Sequence, residues 1–167
     1  MMILGEGGTR KLRTIQAITA NFKRLHMCNM LVKGAYTGIA ASIIDRRTLH
    51  VLTAIPLKGT HSVKTTMKLA EFWKDKKYLI IDEMSMLSCE FLVKVSKIIS
   101  TVLRCNERGN DDLSFGGLNV VLVGDFHQFP PVVCRQAAPL YYPNNPQLDS
   151  IEAIIWQEIY EQFSIVV

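Results

Sequence analysis

Two apolar runs in this chain end abruptly on acidic residues. Tyr78, Leu79, Ile80 and Ile81 lead straight into Asp82 and Glu83, and Val120, Val121, Leu122 and Val123 lead into Gly124 and Asp125. Short unbroken apolar runs are what strands covered on both faces of a parallel sheet require. Around them the periodicity alternates between strand and helix. Residues 1–4 read as a strand. Ile15, Ile18, Phe22 and Leu25 recur at three- and four-residue spacing and predict a helix. Residues 27–32 read as a strand, and 37–44 as a short helix that Thr37 can cap. Residues 49–58 are ambiguous, with Pro56 against a central strand. Val63 to Trp73 predicts a helix.

The second half continues the alternation. Ser88 can cap a helix with Glu90 in its first turn. Its apolar stripe is Phe91, Leu92, Val95, Ile98, Ile99, Val102 and Leu103. Residues 106–117 form a polar, glycine-bearing loop, and 118–123 a strand. Residues 130–146 hold five of the six prolines and exclude a long helix there. A last helix starts at Asp149 or Ser150, marked by Ile151, Ile154, Ile155 and Ile159, and 163–167 open a further strand. Strands alternating with helices predict an α/β fold: a parallel sheet flanked by helices.

Composition narrows this picture. The 167 residues fit a single domain, and 49% hydrophobic content suits a covered parallel sheet. No run reaches the roughly 18 apolar residues of a membrane span, and the first four residues are too short for a signal-peptide core. No membrane and no secretory route are therefore expected. Cys28, Cys89, Cys105 and Cys134 have no C-x-x-C and no zinc-ligand spacing to a histidine, so they read as reduced, mostly buried thiols. Charge is uneven. Residues 1–77 carry 14 Lys/Arg against 4 Asp/Glu, and residues 78–167 carry 5 against 11. A basic half suits a polyanion such as nucleic acid. Scattered lysines are also ordinary surface, and Lys74, Lys76 and Lys77 fringe a strand.

The segment from Gly5 to Leu12 nearly matches a phosphate-binding loop, G-x-x-x-x-G-K-[ST], between a strand and a helix. Gly5 fills the first position, Gly7 and Gly8 keep the loop pliant, Thr9 lies within it, and Lys11 fills the lysine position. Such a loop would cradle phosphate with its backbone N–H groups and the helix N-terminus. Two positions depart. Arg10 replaces the second glycine; a left-handed backbone there would cost about 1–2 kcal/mol. Leu12 replaces the hydroxyl residue that serves magnesium. Thr14 is a poor substitute, since two residues on is about 200° around a helix.

Ligands of open α/β sheets sit at the carboxyl ends of strands. Asp82 at such an end suits a water-mediated magnesium ligand. Glu83 can orient or deprotonate an attacking water. Beyond the second run, Gln128 can hydrogen-bond a terminal phosphate or a water, and Pro130 and Pro131 fix the exit of the loop. His127 can be a ligand or catalyst or, as lone turn histidines more often are, a structural group.

Together these residues resemble the Pif-type family of superfamily-one DNA helicases, including the versions carried by eukaryotic rolling-circle transposons. The resemblance runs through GEGGTRKL (5–12), KGAYTGIAA (33–41), RTLH (47–50), YLIIDEMSML (78–87), GGLNVVLVGDFHQFPPV (116–132) and IYEQFSIVV (159–167). It implies a P-loop NTPase core of RecA-like fold, using ATP and Mg2+. Members move five-prime to three-prime on single-stranded DNA and serve DNA repair, recombination and telomere maintenance, so a nuclear location, or a mitochondrial one as well, is implied. Carried over by position, Gly5, Gly7, Gly8, Thr9, Arg10, Lys11 and Leu12 would bind nucleotide. Asp82 would hold the metal through water, Glu83 would be the base, and Gln128 would sense the terminal phosphate. Thr37 and Gly38 would touch the DNA backbone, with His50 nearby.

The same comparison implies that residues 1–167 are one RecA-like domain, truncated at both ends and carrying motifs one to three. The second motor domain would be missing as a partner. Arg10 and Leu12 imply an ATP hydrolase that is weak or inactive in this form. Two alternatives fit the same residues: a nucleic-acid-binding module that does not hydrolyse ATP, and a decayed helicase fragment.

Overall fold

The computed structural model describes all residues except 7, 9, 39–46, 57–60, 111, 132–139, 141–150 and 167, and for 151–153 it describes the backbone alone. Its strands are β1 (Met2–Leu4), β2 (Leu31–Ala35), β3 (Arg47–Thr48), β4 (Tyr78–Asp82), β5 (Asn119–Gly124) and β6 (Ile165–Val166). Its helices are α1 (Lys11–Arg24), α2 (Leu49–Thr53), α3 (Val63–Trp73), α4 (Cys89–Cys105) and α5 (Ile151–Glu161). The strands form one sheet in the order β3-β2-β4-β5-β1-β6, and every neighbouring pair is parallel.

The two apolar runs lie next to each other at the centre of this sheet, with Leu79 beside Val120 and Ile81 beside Leu122. Alternate residues serve opposite faces. Leu79, Ile81, Val120 and Leu122 join the large core with the stripe of α4, while Ile80 and Val123 pack with Ile15 of α1 on the other face. Continuous apolar runs are thus explained by two covered faces. Ser88 caps α4 by accepting from the Phe91 N–H at 3.2 Å, and Ser62 caps α3 by accepting from the Thr65 N–H at 3.2 Å. Buried Trp73 donates its indole N–H to the Leu52 carbonyl at 3.1 Å, tying α3 to α2.

Several expectations shift. The strand read at 27–32 begins later, because Cys28–Met30 forms a 3-10 turn and β2 runs from Leu31 to Ala35. The ambiguous stretch 49–58 contributes α2, preceded by the short edge strand β3. Gly34 makes room for α2: a Cβ there would lie 2.8 Å from Leu49 Cδ2. In α1 only Ile15 is fully buried, and Leu25 is exposed, because the apolar cluster on that face is small. Cys89 is buried, and desolvation pushes its thiol up to about 12. Cys28 and Cys105 are exposed, against the expectation of mostly buried thiols, since both sit at ends of 3-10 or helical segments near the surface. The helix read at 37–44 and the proline-rich stretch 130–146 lie largely outside the described residues, as does Cys134. No helix among the described residues is long and apolar enough to cross a membrane.

Gly124, the last residue of β5, sits under Met84: a Cβ there would lie 2.8 Å from Met84 Cγ and 3.1 Å from its backbone nitrogen. Met84 is fully buried and cannot swing out freely. Gly124→Ala is expected to destabilise the domain by about 1–3 kcal/mol, the usual range for overpacking. A urea-unfolding midpoint equal to that of the parent would contradict the close approach.

Candidate functional site

Parallel strands send all their carboxyl ends to one rim. The order β2-β4-β5-β1 therefore brings four successive loops side by side: Tyr36 and Thr37 after β2, Glu83 after β4, Asp125 to Gln128 after β5, and Gly5 to Arg10 after β1. The register sharpens this. Ala35 lies beside Asp82, Ile81 beside Leu122, and Leu4 beside Gly124. Residues far apart in sequence thus share one edge, the place where ligands of such sheets bind.

The loop after β1 and the first turn of α1 carry the two departures read from the sequence. Gly8 has φ of +86°, and Arg10, at the N-cap of α1, has φ 62° and ψ 24°. The position therefore is left-handed, and arginine occupies it at a cost of about 1–2 kcal/mol. Its backbone carbonyl still accepts from the Arg13 N–H at 2.8 Å, which starts the helix without a side-chain cap. Lys11 turns back on its own loop, donating from Nζ to the Gly5 carbonyl at 2.5 Å and to the Glu6 carbonyl at 2.8 Å. Leu12 is 40% exposed, an apolar side chain where the general pattern has a hydroxyl. Gly7 and Thr9 lie outside the described residues.

Asp82 ends β4 and is half-buried. Glu83 follows with φ 57° and ψ 41°, and its carbonyl accepts from the Met86 N–H at 3.0 Å to close a 3-10 turn. Six non-glycine residues among those described have positive φ. His26, Ala54 and Glu107 close helices, where a left-handed residue is ordinary, and Phe115 lies in a kinked turn. Arg10 and Glu83 are the remaining two, and both stand at the rim. Non-glycine residues in this conformation collect at binding and switch sites.

After β5, Asp125 is buried and organises the turn. Its Oδ1 accepts from the His127 N–H at 2.9 Å, and its carbonyl accepts from the Gln128 N–H at 3.1 Å. His127 Nδ1 lies 3.4 Å from the same Oδ1, yet its side chain is 90% exposed. The turn presents His127 and Gln128 to solvent and keeps Asp125 as its buried anchor.

Beyond β2, the Thr37 hydroxyl donates to Glu83 Oε2 at 3.0 Å, although 46 residues separate them. Tyr36 packs against His50 at a ring-centroid distance of 5.6 Å, and both pack against Phe91, at 5.5 and 4.8 Å. Thr37 and His50, paired from the sequence only by resemblance, are thus brought to the same corner; Gly38 is exposed beside them. The Thr37–Glu83 bond and the aromatic corner were not legible in the sequence. A hydroxyl at a strand end carries no pairing signal, and isolated aromatics mostly read as packing. Asp125 had a visible signal, an acid closing an apolar run.

Relief of the left-handed strain gives a direct check. Arg10→Gly is expected to raise unfolding stability by about 1 kcal/mol, the left-handed penalty less the extra chain entropy of glycine. Chemical denaturation of the two proteins measures it, and a loss of stability would show that the arginine side chain holds the loop.

The family profile for PIF1-like helicase matches residues 1–160. The chain is 36% identical over 135 residues to the ATP-dependent DNA helicase RRM3 of Saccharomyces cerevisiae, an alignment covering 77% of this chain and 18% of that protein. The Pif1 helicase of Candida albicans superposes with a TM-score of 0.67 at 26% identity, covering 99% of this chain and 35% of the other. A Bacteroides Pif1 helicase in complex with ADP-AlF3 and single-stranded DNA superposes with a TM-score of 0.65 at 27% identity, covering 81% and 30% respectively. The chain therefore spans about a fifth of that yeast relative and about a third of those solved chains. Six parallel strands with flanking helices, matched to these structures, are the RecA-like P-loop core, and with the profile match across nearly its whole length the chain belongs to the PIF1-like helicase family.

Proposed function

We propose that this chain is the nucleotide-binding motor domain of an ATP-dependent helicase that acts on single-stranded DNA. The observation that carries the reading is the shared rim: four adjacent parallel strands end in the loop with Lys11, the pair Asp82 and Glu83, the turn with Gln128, and Thr37. The residues fit a nucleotide in part. Lys11 offers an ammonium to phosphate oxygens in place of the carbonyls it now holds. Asp82 offers a carboxylate to a divalent cation through water. Leu12 offers no oxygen. Among the described residues no group of three or more His, Cys, Asp or Glu is placed to hold a metal by itself. A cation at Asp82 would therefore share its coordination with phosphate and water.

In this reading Mg2+ and ATP supply phosphoryl-transfer chemistry when bound. Glu83 orients and deprotonates water, Gln128 reports on the outermost phosphate, and Gly5, Gly7, Gly8 and Thr9 cradle the others. Thr37, Gly38 and His50 meet the DNA backbone. A second RecA-like domain in a longer protein completes the site, since phosphoryl transfer in this class draws a stabilising arginine from a neighbour. Nuclear work in repair, recombination and telomere maintenance, with a mitochondrial share, follows from the family reading. Arg10 and Leu12 leave hydrolysis weak. Phosphate release stimulated by single-stranded DNA is expected to stay near background for this chain and to rise in the double variant Arg10→Gly, Leu12→Ser. Robust magnesium-dependent turnover by the parent chain would overturn the reading of these two positions.

A second reading has its own support. With Lys11 bound to its own loop and Leu12 apolar, the domain can serve as a DNA-binding module in which nucleotide has no part. Its 14 basic residues in the first 77 supply the charge. Affinity for oligothymidylate is expected to fall with salt on a log–log slope of about −2 to −4, equivalent to a few neutralised phosphates. A slope near zero would remove DNA binding from both readings.

A further inference from the structure

We propose that the Thr37 hydroxyl holds the Glu83 carboxylate in a resting position, and that a DNA phosphate competing for Thr37 releases it. The inference rests on the reading of Thr37 as a DNA contact and adds what that contact does. A threonine hydroxyl has a single O–H to donate. Here it goes to Glu83 Oε2 at 3.0 Å. A carboxylate and a phosphodiester are both anionic acceptors that lack a proton to give. Thr37 can therefore donate to one of them at a time, and the two interactions exclude each other.

The surroundings decide what moves. Met84, next to Glu83, is fully buried and pressed against Gly124, with 2.8 Å between its Cγ and the place of an added Cβ. The Glu83 carbonyl is held by the Met86 N–H. Its backbone is pinned in a left-handed conformation, so freedom is left to the side chain. Thr37 and Glu83 are both half-buried, so their bond lies within reach of a ligand arriving at the rim. Tyr36, next to Thr37, packs with His50 and Phe91. Thr37 is in this sense a positioning residue: it acts through Glu83. DNA contact and readiness of the base become one event, and the domain without DNA keeps its base tied.

The test reads Glu83 directly and needs no turnover. In the chain labelled with carbon-13 at glutamate carboxyls, the Glu83 resonance, assigned through Glu83→Gln, is followed while oligothymidylate is added and its binding is monitored by fluorescence anisotropy. The resonance is expected to shift as the oligonucleotide saturates. The shift is expected to vanish in Thr37→Val and to return in Thr37→Ser, which keeps the hydroxyl. DNA binding that leaves the Glu83 resonance in place, in the parent chain alone, overturns the coupling while the DNA-binding reading stands. The same holds if Thr37→Val or Thr37→Ala shifts as the parent does. An oligonucleotide that does not bind at all overturns the DNA contact itself, and the coupling with it.

Discussion

The constraint on which the rim depends is that β5 lies between β4 and β1 with all three strands pointing the same way. Turn any one of them around and its terminal residues would move to the opposite edge, roughly the length of a strand away. Parallel pairing in turn needs long crossovers, which α1, α3 and α4 supply, and both faces must be covered. The apolar runs at 78–81 and 120–123 are the cost of that coverage written into composition. The acids come after the runs, where the strand ends and a carboxylate can reach water or, as buried Asp125 does, a backbone N–H.

Close packing at the end of β5 then couples neighbours. Gly124 accepts Met84 almost in contact, so the turn carrying Glu83 leans on the strand that leads to Asp125. Asp125 spends its own side chain and carbonyl holding the turn of His127 and Gln128. A rim assembled from rigid pieces leaves side chains as its movable parts. Lys11 shows the same division: the loop backbone is bent by Gly8 and Arg10, while the ammonium is satisfied by two carbonyls that a more strongly charged acceptor can replace.

Most of the architecture was readable because each central element obeys one period. The stripe of α4 and the cap at Ser88 are local signals, and they appear where sequence reasoning puts them; the cap at Ser62 is added by the structure. The reading slipped where local signals compete. At 27–32 the apolar residues suited a strand, but Cys28–Met30 turns before β2 begins. At 49–58 a five-residue helix forms because Gly34 offers it a seat on the sheet, a tertiary fact with no local trace. At the site, residue types were legible and their partners were not. The need for a left-handed residue at position 10 could be stated in advance as a condition, and Arg10 meets it. That Glu83 would also be left-handed, and would accept from Thr37, depends on how two strands lie side by side.

The position of β1 carries a consequence for how the protein is made. Of the six strands this one is made first, yet its neighbours β5 and β6 lie more than a hundred residues later. Until those segments emerge, Met2 has no hydrophobic shelter and the glycine loop behind it has no fixed floor. The central pair can form earlier, and contacts of such long sequence separation close late. The segment most reminiscent of a phosphate cradle therefore stays without a paired strand beneath it until β5 and β6 have been made.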